Sequence, residues 1–165
     1  YGHAGTTAAK HRLETWVHHL LVTLNRGRQQ VSWIFGKSKG KKKKAERLGH
    51  VADPQALLED LVALYQQGLC EPLCFMPATS ETYYLGCDDP EEAMDKARKR
   101  WVGNAFMPGL AEGQDPSVAL VFGTGFPFAE KGALGAFPSE SSLCFESLAA
   151  RVFSPLHEVL KEVEL

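Results

Sequence analysis

Apolar residues recur along the first part of the chain with two different beats. Over residues 10–25 they fall at Leu13, Trp16, Val17, Leu20, Leu21 and Leu24, the i, i+3, i+4, i+7 spacing that lays one stripe along a helix. Gly27 follows as a stop. The beat then shortens to two: Val31, Trp33 and Phe35 alternate with Ser32 and Ile34, as on a strand. A second, weaker strand is expected over residues 46–52, which makes the stretch between them the tip of a hairpin. Asp53-Pro54 opens the next helix, because the aspartate accepts from the first free amides and proline fits the first turn. Its apolar face is expected from Leu57, Leu58, Leu61, Val62, Tyr65 and Leu69, and its end at Gly68.

Residues 71–76, EPLCFM, read as a short buried strand closed by Pro77. A helix is expected over residues 90–102, with Ala93, Met94, Ala97 and Trp101 on one side. Asp88, Asp89, Glu91 and Glu92 lie at its positive end and Arg98, Lys99 and Arg100 at its negative end, as the helix dipole favours. Residues 103–113 read as loop, Asp115-Pro116 opens a short helix to Phe122, and residues 123–139 read as irregular or mobile. Phe106, Phe122, Phe126, Phe128 and Phe137 are either a contact surface or the pins that hold this region to its own core. A last helix is expected over residues 142–163, with Leu148, Ala149, Val152, Phe153, Leu156, Val159, Leu160 and Val163 inward and a bend at Pro155.

With 165 residues, 44% of them hydrophobic, the chain closes one core more comfortably than two, so residues 1–165 are expected to form a single domain with a flexible segment over residues 1–9. Tyr1 stands where a methionine would open a complete chain, which suggests a fragment of something longer. No apolar run approaches a membrane span and no signal-peptide order is present, so a soluble, cytoplasmic chain is expected. Cys70, Cys74, Cys87 and Cys144 have neither zinc-knuckle spacing nor the density of a disulfide scaffold, and read as reduced packing thiols.

Charge is strongly segregated. Six of the eight residues in 37–44 are lysine, so the rest of the chain carries −8 against a total of −2. A local basic spike on an acidic body makes a focused field rather than a generally basic coat. The same stretch imitates two catalytic motifs. Gly36, Ser38 and Gly40 have the spacing of a nucleophile elbow, but four lysines follow where a buried helix should, and only His50 and His157 are available downstream. Gly36-Lys37-Ser38 ends like a Walker loop, yet the leading glycine would have to be Val31. Gly123 and Gly125 form a weaker pair still, and Pro127 blocks the helix that should receive a pyrophosphate. His18 and His19 diverge by about a hundred degrees on a helix and both miss the apolar stripe. With His11 and Glu14, they read as solvent-facing side chains.

The runs LVALYQQGLCEPL at residues 61–73, RLETWVHHLLVTL at 12–24, KARKRWVGN at 96–104, GLAEGQDP at 109–116 and RVFSPL at 151–156 together resemble the C-terminal region of the exodeoxyribonuclease V gamma-subunit (RecC) family. The resemblance is collinear from about residue 10 onward. It implies an α/β fold like that of the restriction endonucleases, with a small central mixed sheet flanked by helices. It also implies a place in DNA repair and recombination, within an ATP-dependent helicase-nuclease that processes double-strand ends. The expected partners are the beta (RecB) and alpha (RecD) subunits, and DNA through the complex. In this family the nuclease-like domain is regarded as having lost its active site.

The residues allow a separate test of that loss. A magnesium nuclease of this fold needs an acid on one strand and an acid-x-Lys on the next, so that two carboxylates hold the ion at about 2.1 Å. Across residues 27–52 the sole acid is Glu46, and Leu48 stands two residues beyond it. The chain is therefore expected to be non-catalytic, without a metal or other cofactor; the absence of a three-cysteine cluster disfavours an iron–sulfur variant. Two readings of the basic stretch stay open. Lys37, Lys39, Lys41, Lys42, Lys43, Lys44 and Arg47 contact DNA phosphates, or the lysines are a solvated insertion. Two rival functions also stay open: an active magnesium nuclease, and a protein-interaction module with no DNA contact. Aromatic stacking on bases is not expected beside the lysines.

Overall fold

The computed structural model describes residues 8–36, 44–103, 111–123, 125–128 and 144–164, with Lys44 described by its backbone alone. These contain six α-helices and three strands, and the chain divides into two compact units, Tyr1–Cys70 with Ser154–Leu165, and Glu71–Phe153.

In the first unit, helix α1 (Ala9–Arg26) ends where Gly27 turns into the left-handed region at φ 59° and returns its amide to the carbonyls of Thr23 and Leu24. Strand β1 (Ser32–Phe35) pairs antiparallel with β2 (Lys44–Leu48), so the two-residue beat is read correctly, although β2 begins earlier than the expected residues 46–52. Helix α2 (Pro54–Gly68) starts as expected, with the Asp53 side chain accepting from the Ala56 amide at 3.0 Å. The core joins Trp16, Leu20, Leu48, Val51 and Leu156, with Leu13, Leu57, Leu58, Leu61, Val159 and Leu160 packed against it.

Three expectations for this unit are corrected. The chain does not stay helical to residue 163: α6 (Phe145–Val159) gives way to β3 (Leu160–Glu164), which pairs antiparallel with the other edge of β2. Leu160 and Val163 continue the apolar period of a helix, but strand pairing satisfies the backbone groups that β2 would otherwise leave open. The sheet, ordered β1-β2-β3, is consequently antiparallel throughout rather than mixed, among the described residues. On α1 the buried face runs through Ala9, Thr15, Trp16, His19, Leu20 and Thr23, leaving Leu21 and Leu24 exposed. Thr15 and Thr23 fit this face because each hydroxyl donates to the carbonyl four residues earlier, at 2.8 Å. On α2, Leu64 is the buried residue, while Val62 and Tyr65, and Leu69 just beyond the helix, are exposed.

The second unit contains α3 (Pro77–Tyr84), α4 (Pro90–Val102), a single 3₁₀ turn (Glu112–Gln114), α5 (Pro116–Phe122) and α6 as far as Phe153. Residues 71–76 are not a strand, and Pro77 opens a helix instead of closing one. The missing local signal is supplied from a distance: the Glu112 carboxylate accepts from the amides of Ala78 at 2.9 Å and Thr79 at 2.7 Å, satisfying the free N-terminus of α3. Asp89 and Asp115 cap α4 and α5 locally, as read from sequence. Trp101, fully buried, is ringed by Phe122, Phe126 and Phe128, and Phe128 stacks on Phe145 at 4.7 Å. Three of the five phenylalanines thus serve as pins, while Phe106 and Phe137 lie outside the described residues. Cys74 is buried, which raises its thiol pKa, but Cys70 and Cys87 are exposed, so all four thiols are free and only part of the set packs.

The expected flexible segment at residues 1–9 falls largely outside the described residues, as does most of residues 123–139. Among the described residues, no helix is long and apolar enough to cross a membrane.

Candidate functional site

Side chains of a strand alternate between the two faces of a sheet, and cross-strand partners share a face. The register therefore sorts the three strands into two rows of function. Ser32 aligns with Leu48 and then Leu160, and Ile34 with Glu46 and then Glu162. This row holds Ile34 and Leu48, both fully buried. On the opposite face Trp33 aligns with Arg47 and Lys161, and Phe35 with Ala45 and Val163.

The first row meets α1 through two polar contacts. Arg12 grips Glu46 with both prongs of its guanidinium: Nε donates to Oε2 at 2.9 Å and Nη2 to Oε1 at 2.6 Å. The side chains are 19% and 16% exposed, enough burial for a bidentate, charge-assisted pair to matter structurally. Farther along α1, His19 lies buried against the sheet. Its Nε2 sits 2.9 Å from the Gly49 carbonyl oxygen, so that nitrogen carries the proton, and Nδ1, 2.9 Å from Ser32 Oγ, accepts from the hydroxyl. Burial lowers the His19 pKa, while the bond to the Gly49 carbonyl opposes that shift. The result is a neutral imidazole that ties α1 to β1 and to the end of β2, with its ring also stacked near Trp16.

This geometry corrects the expectation that His19 faces solvent; His18 does. The residues near the hairpin also do not fit a magnesium ion. The positive charge that an ion would bring to Glu46 is already supplied by Arg12, and the acid registered beside Glu46 on this face, Glu162 of β3, is exposed. Among the described residues, no three His, Cys, Asp or Glu side chains are grouped to hold a metal. The acids at residues 88–92 belong to the start of α4, where Asp89 accepts from the Glu92 amide at 3.1 Å and Glu92 pairs with Lys96 at 2.9 Å.

Of the sequence-predicted DNA contacts, Lys37, Lys39, Lys41, Lys42 and Lys43 lie outside the described residues, as do Ser38 and Gly40 of the nucleophile-like motif. The Lys44 backbone pairs with that of Glu164. Arg47 is half-buried in the middle of β2, between Trp33 and Lys161. Arg12 and Lys161 escaped sequence reasoning. A signal for Arg12 existed: residues 12, 16, 19, 20 and 23 follow a helical period, but only two of them are apolar, so a search for apolar residues alone rotates the face.

Comparison with known proteins agrees with the resemblance carried by the motifs. Residues 2–88 match the family model of the RecC C-terminal domain. Two curated relatives, each named RecBCD enzyme subunit RecC, come from Mycobacterium tuberculosis strains CDC 1551 / Oshkosh and ATCC 25618 / H37Rv. Each is 33% identical to this chain over 156 residues, a match that covers 90% of the chain and 14% of the relative. The chain thus spans about a seventh of the length of these relatives.

Proposed function

We propose, on the premise that the chain belongs to the RecC C-terminal domain family, that it is a non-catalytic, nuclease-like scaffold within a helicase-nuclease of the RecBCD type. The reading treats residues 1–165 as one domain with a restriction-endonuclease-like ancestry. It assigns ATP hydrolysis and strand cleavage to the RecB and RecD partners. The observation that carries it is the Arg12–Glu46 pair: the one acid in the hairpin region is committed to a guanidinium instead of an ion. An exposed apolar row at Val62, Tyr65 and Leu69 supports contact with a partner protein, since large side chains 47%, 68% and 69% exposed at helical spacing are suited to cover by another surface. The lysines of residues 37–44, with Arg47, are assigned to the DNA path, as phosphate contacts.

The test has two arms. Co-purification of RecB and RecD with the gamma subunit should fall when this domain is deleted, and the 165-residue chain with magnesium should leave supercoiled plasmid intact. Metal-dependent nicking that disappears in Glu46→Ala would overturn the non-catalytic reading; undiminished assembly without the domain would overturn the scaffold.

A further inference from the structure

β3 lies at an edge of the sheet, bonded to β2 along one flank and to no other strand among the described residues. It runs through Leu160–Glu164 without proline or glycine, so the backbone groups of its outer flank are a template for a further strand. Lys161, Glu162 and Glu164 are exposed, and Leu160 and Val163 are half-buried. Charges on an edge guard against stray pairing, but two of these are also set against charges of their own sign.

Glu46 of β2 stands opposite Glu162 on the α1 side, and Arg47 stands opposite Lys161 on the other side. Like charges directly opposite each other work against a ladder. Arg12 answers Glu46 from α1, yet β2 offers Glu162 and Lys161 repulsion where opposite charges would serve stability. A strand added outside β3 can reverse this, since it sets a second residue directly beside each of them. The complement is a cation beside Glu162 and an anion beside Lys161, with apolar residues beside Val163 and Leu160. A second copy of the chain does not supply it. A two-fold antiparallel pairing centred on Lys161, Glu162 or Glu164 sets that charge against itself, and centred on Val163 it sets Glu162 against Glu164. Centred on Leu160, it would have to unwind the end of α6.

We infer that the outer edge of β3 is a strand-addition site for an extended segment of a partner protein, with the order apolar, Lys or Arg, Asp or Glu, apolar. Antiparallel addition continues the two pairings already present and is the more stable kind. The site deepens the scaffold reading, on which it rests, by naming how a partner is held. Backbone bonds supply the affinity and the alternating side chains the selectivity. Neither the α2 row nor the lysines of residues 37–44 take part.

The probe is the acetylated, amidated hexapeptide Thr-Val-Lys-Asp-Leu-Thr. Its control exchanges the central Lys and Asp, so the two have the same composition and net charge. Titration of the 165-residue chain, followed by amide chemical shifts, should show the probe binding roughly tenfold more tightly than the control. Alternate amides of β3 should gain protection from hydrogen exchange. In a double variant, Lys161→Glu with Glu162→Lys, the preference should invert. Its urea midpoint without peptide should rise above wild type, because each new charge faces its opposite in β2. Equal affinity for the two peptides, binding without new protection in β3, or an unchanged preference in the double variant would overturn the site. A lower midpoint would also overturn it, by removing the like-charge premise. If neither peptide binds while co-purification of RecB and RecD still falls on deletion of the domain, the edge site falls and the scaffold reading stands. Peptide binding with undiminished assembly would overturn the scaffold reading alone.

Discussion

One face of the three-stranded sheet holds the polar contacts to α1 and the other carries Phe35 and Lys161 at its surface, although both are built from the same fourteen residues of β1, β2 and β3. The α1 face commits Glu46 to Arg12 and Ser32 to His19, with Glu162 exposed at its β3 edge. The open face leaves Phe35 and Lys161 in contact with solvent. The difference teaches where the sheet's accessible chemistry lies. A carboxylate locked in a bidentate pair acts as fastening material, whereas the exposed side chains of the other face are open to solvent.

The contrast can be broken most strongly at Arg12. Arg12→Ala leaves Glu46 in a partly buried place with its two strongest donors removed, and should cost about 2 kcal/mol of unfolding free energy. Removing Glu46 as well should return more than half of that loss, because the penalty lies mainly in the stranded charge. Urea unfolding of the two single variants and the double variant measures this coupling. Equal losses that simply add would mean that the pair fastens nothing.

A gentler probe is acid. Burial holds His19 neutral in the fold, so its folded pKa lies below the value of about 6.5 found in an unfolded chain. Below that pH the unfolded state takes up a proton that the folded state does not. Stability is therefore full above about pH 6.5 and falls as pH drops, by up to about 1.4 kcal/mol per unit. His19→Gln should flatten this part of the curve relative to wild type, as read by urea midpoints between about pH 7.5 and 5.5. An unchanged slope would show that His19 titrates normally. The smallest effect belongs to the open face: Phe35→Leu should alter stability by no more than about 0.5 kcal/mol, in the same urea measurement. A larger loss would mean that the ring is part of the core.

The elements easiest to read from the chain were those whose starting signal is local. Asp53-Pro54, Asp89-Pro90 and Asp115-Pro116 each place a cap and a first-turn proline side by side, and each opens a helix. Helix α3 lacked such a signal because its cap, Glu112, comes more than thirty residues later. β3 was obscured because Leu156, Leu160 and Val163 keep a helical period that strand pairing overrides. At the candidate site, Glu46 as the sole acid of residues 27–52 was legible by counting, whereas Glu162 beside it was not, because β3 reads as helix. Arg12 and His19 were not, since a polar side chain on a buried face is recognisable only through the partner that neutralises it. The Trp33–Phe35 alternation was visible as a strand, but nothing in the string said which side of that strand the rest of the unit would cover.

Because Leu48 pairs with Leu160, the sheet joins segments separated by all of the residues of the second unit. A ribosome must release that intervening length before β2 can find its last neighbour, so the hairpin waits with one flank unprotected until the second unit has been made. The nascent chain is then exposed to mispairing for longer than the modest size of the finished sheet would suggest.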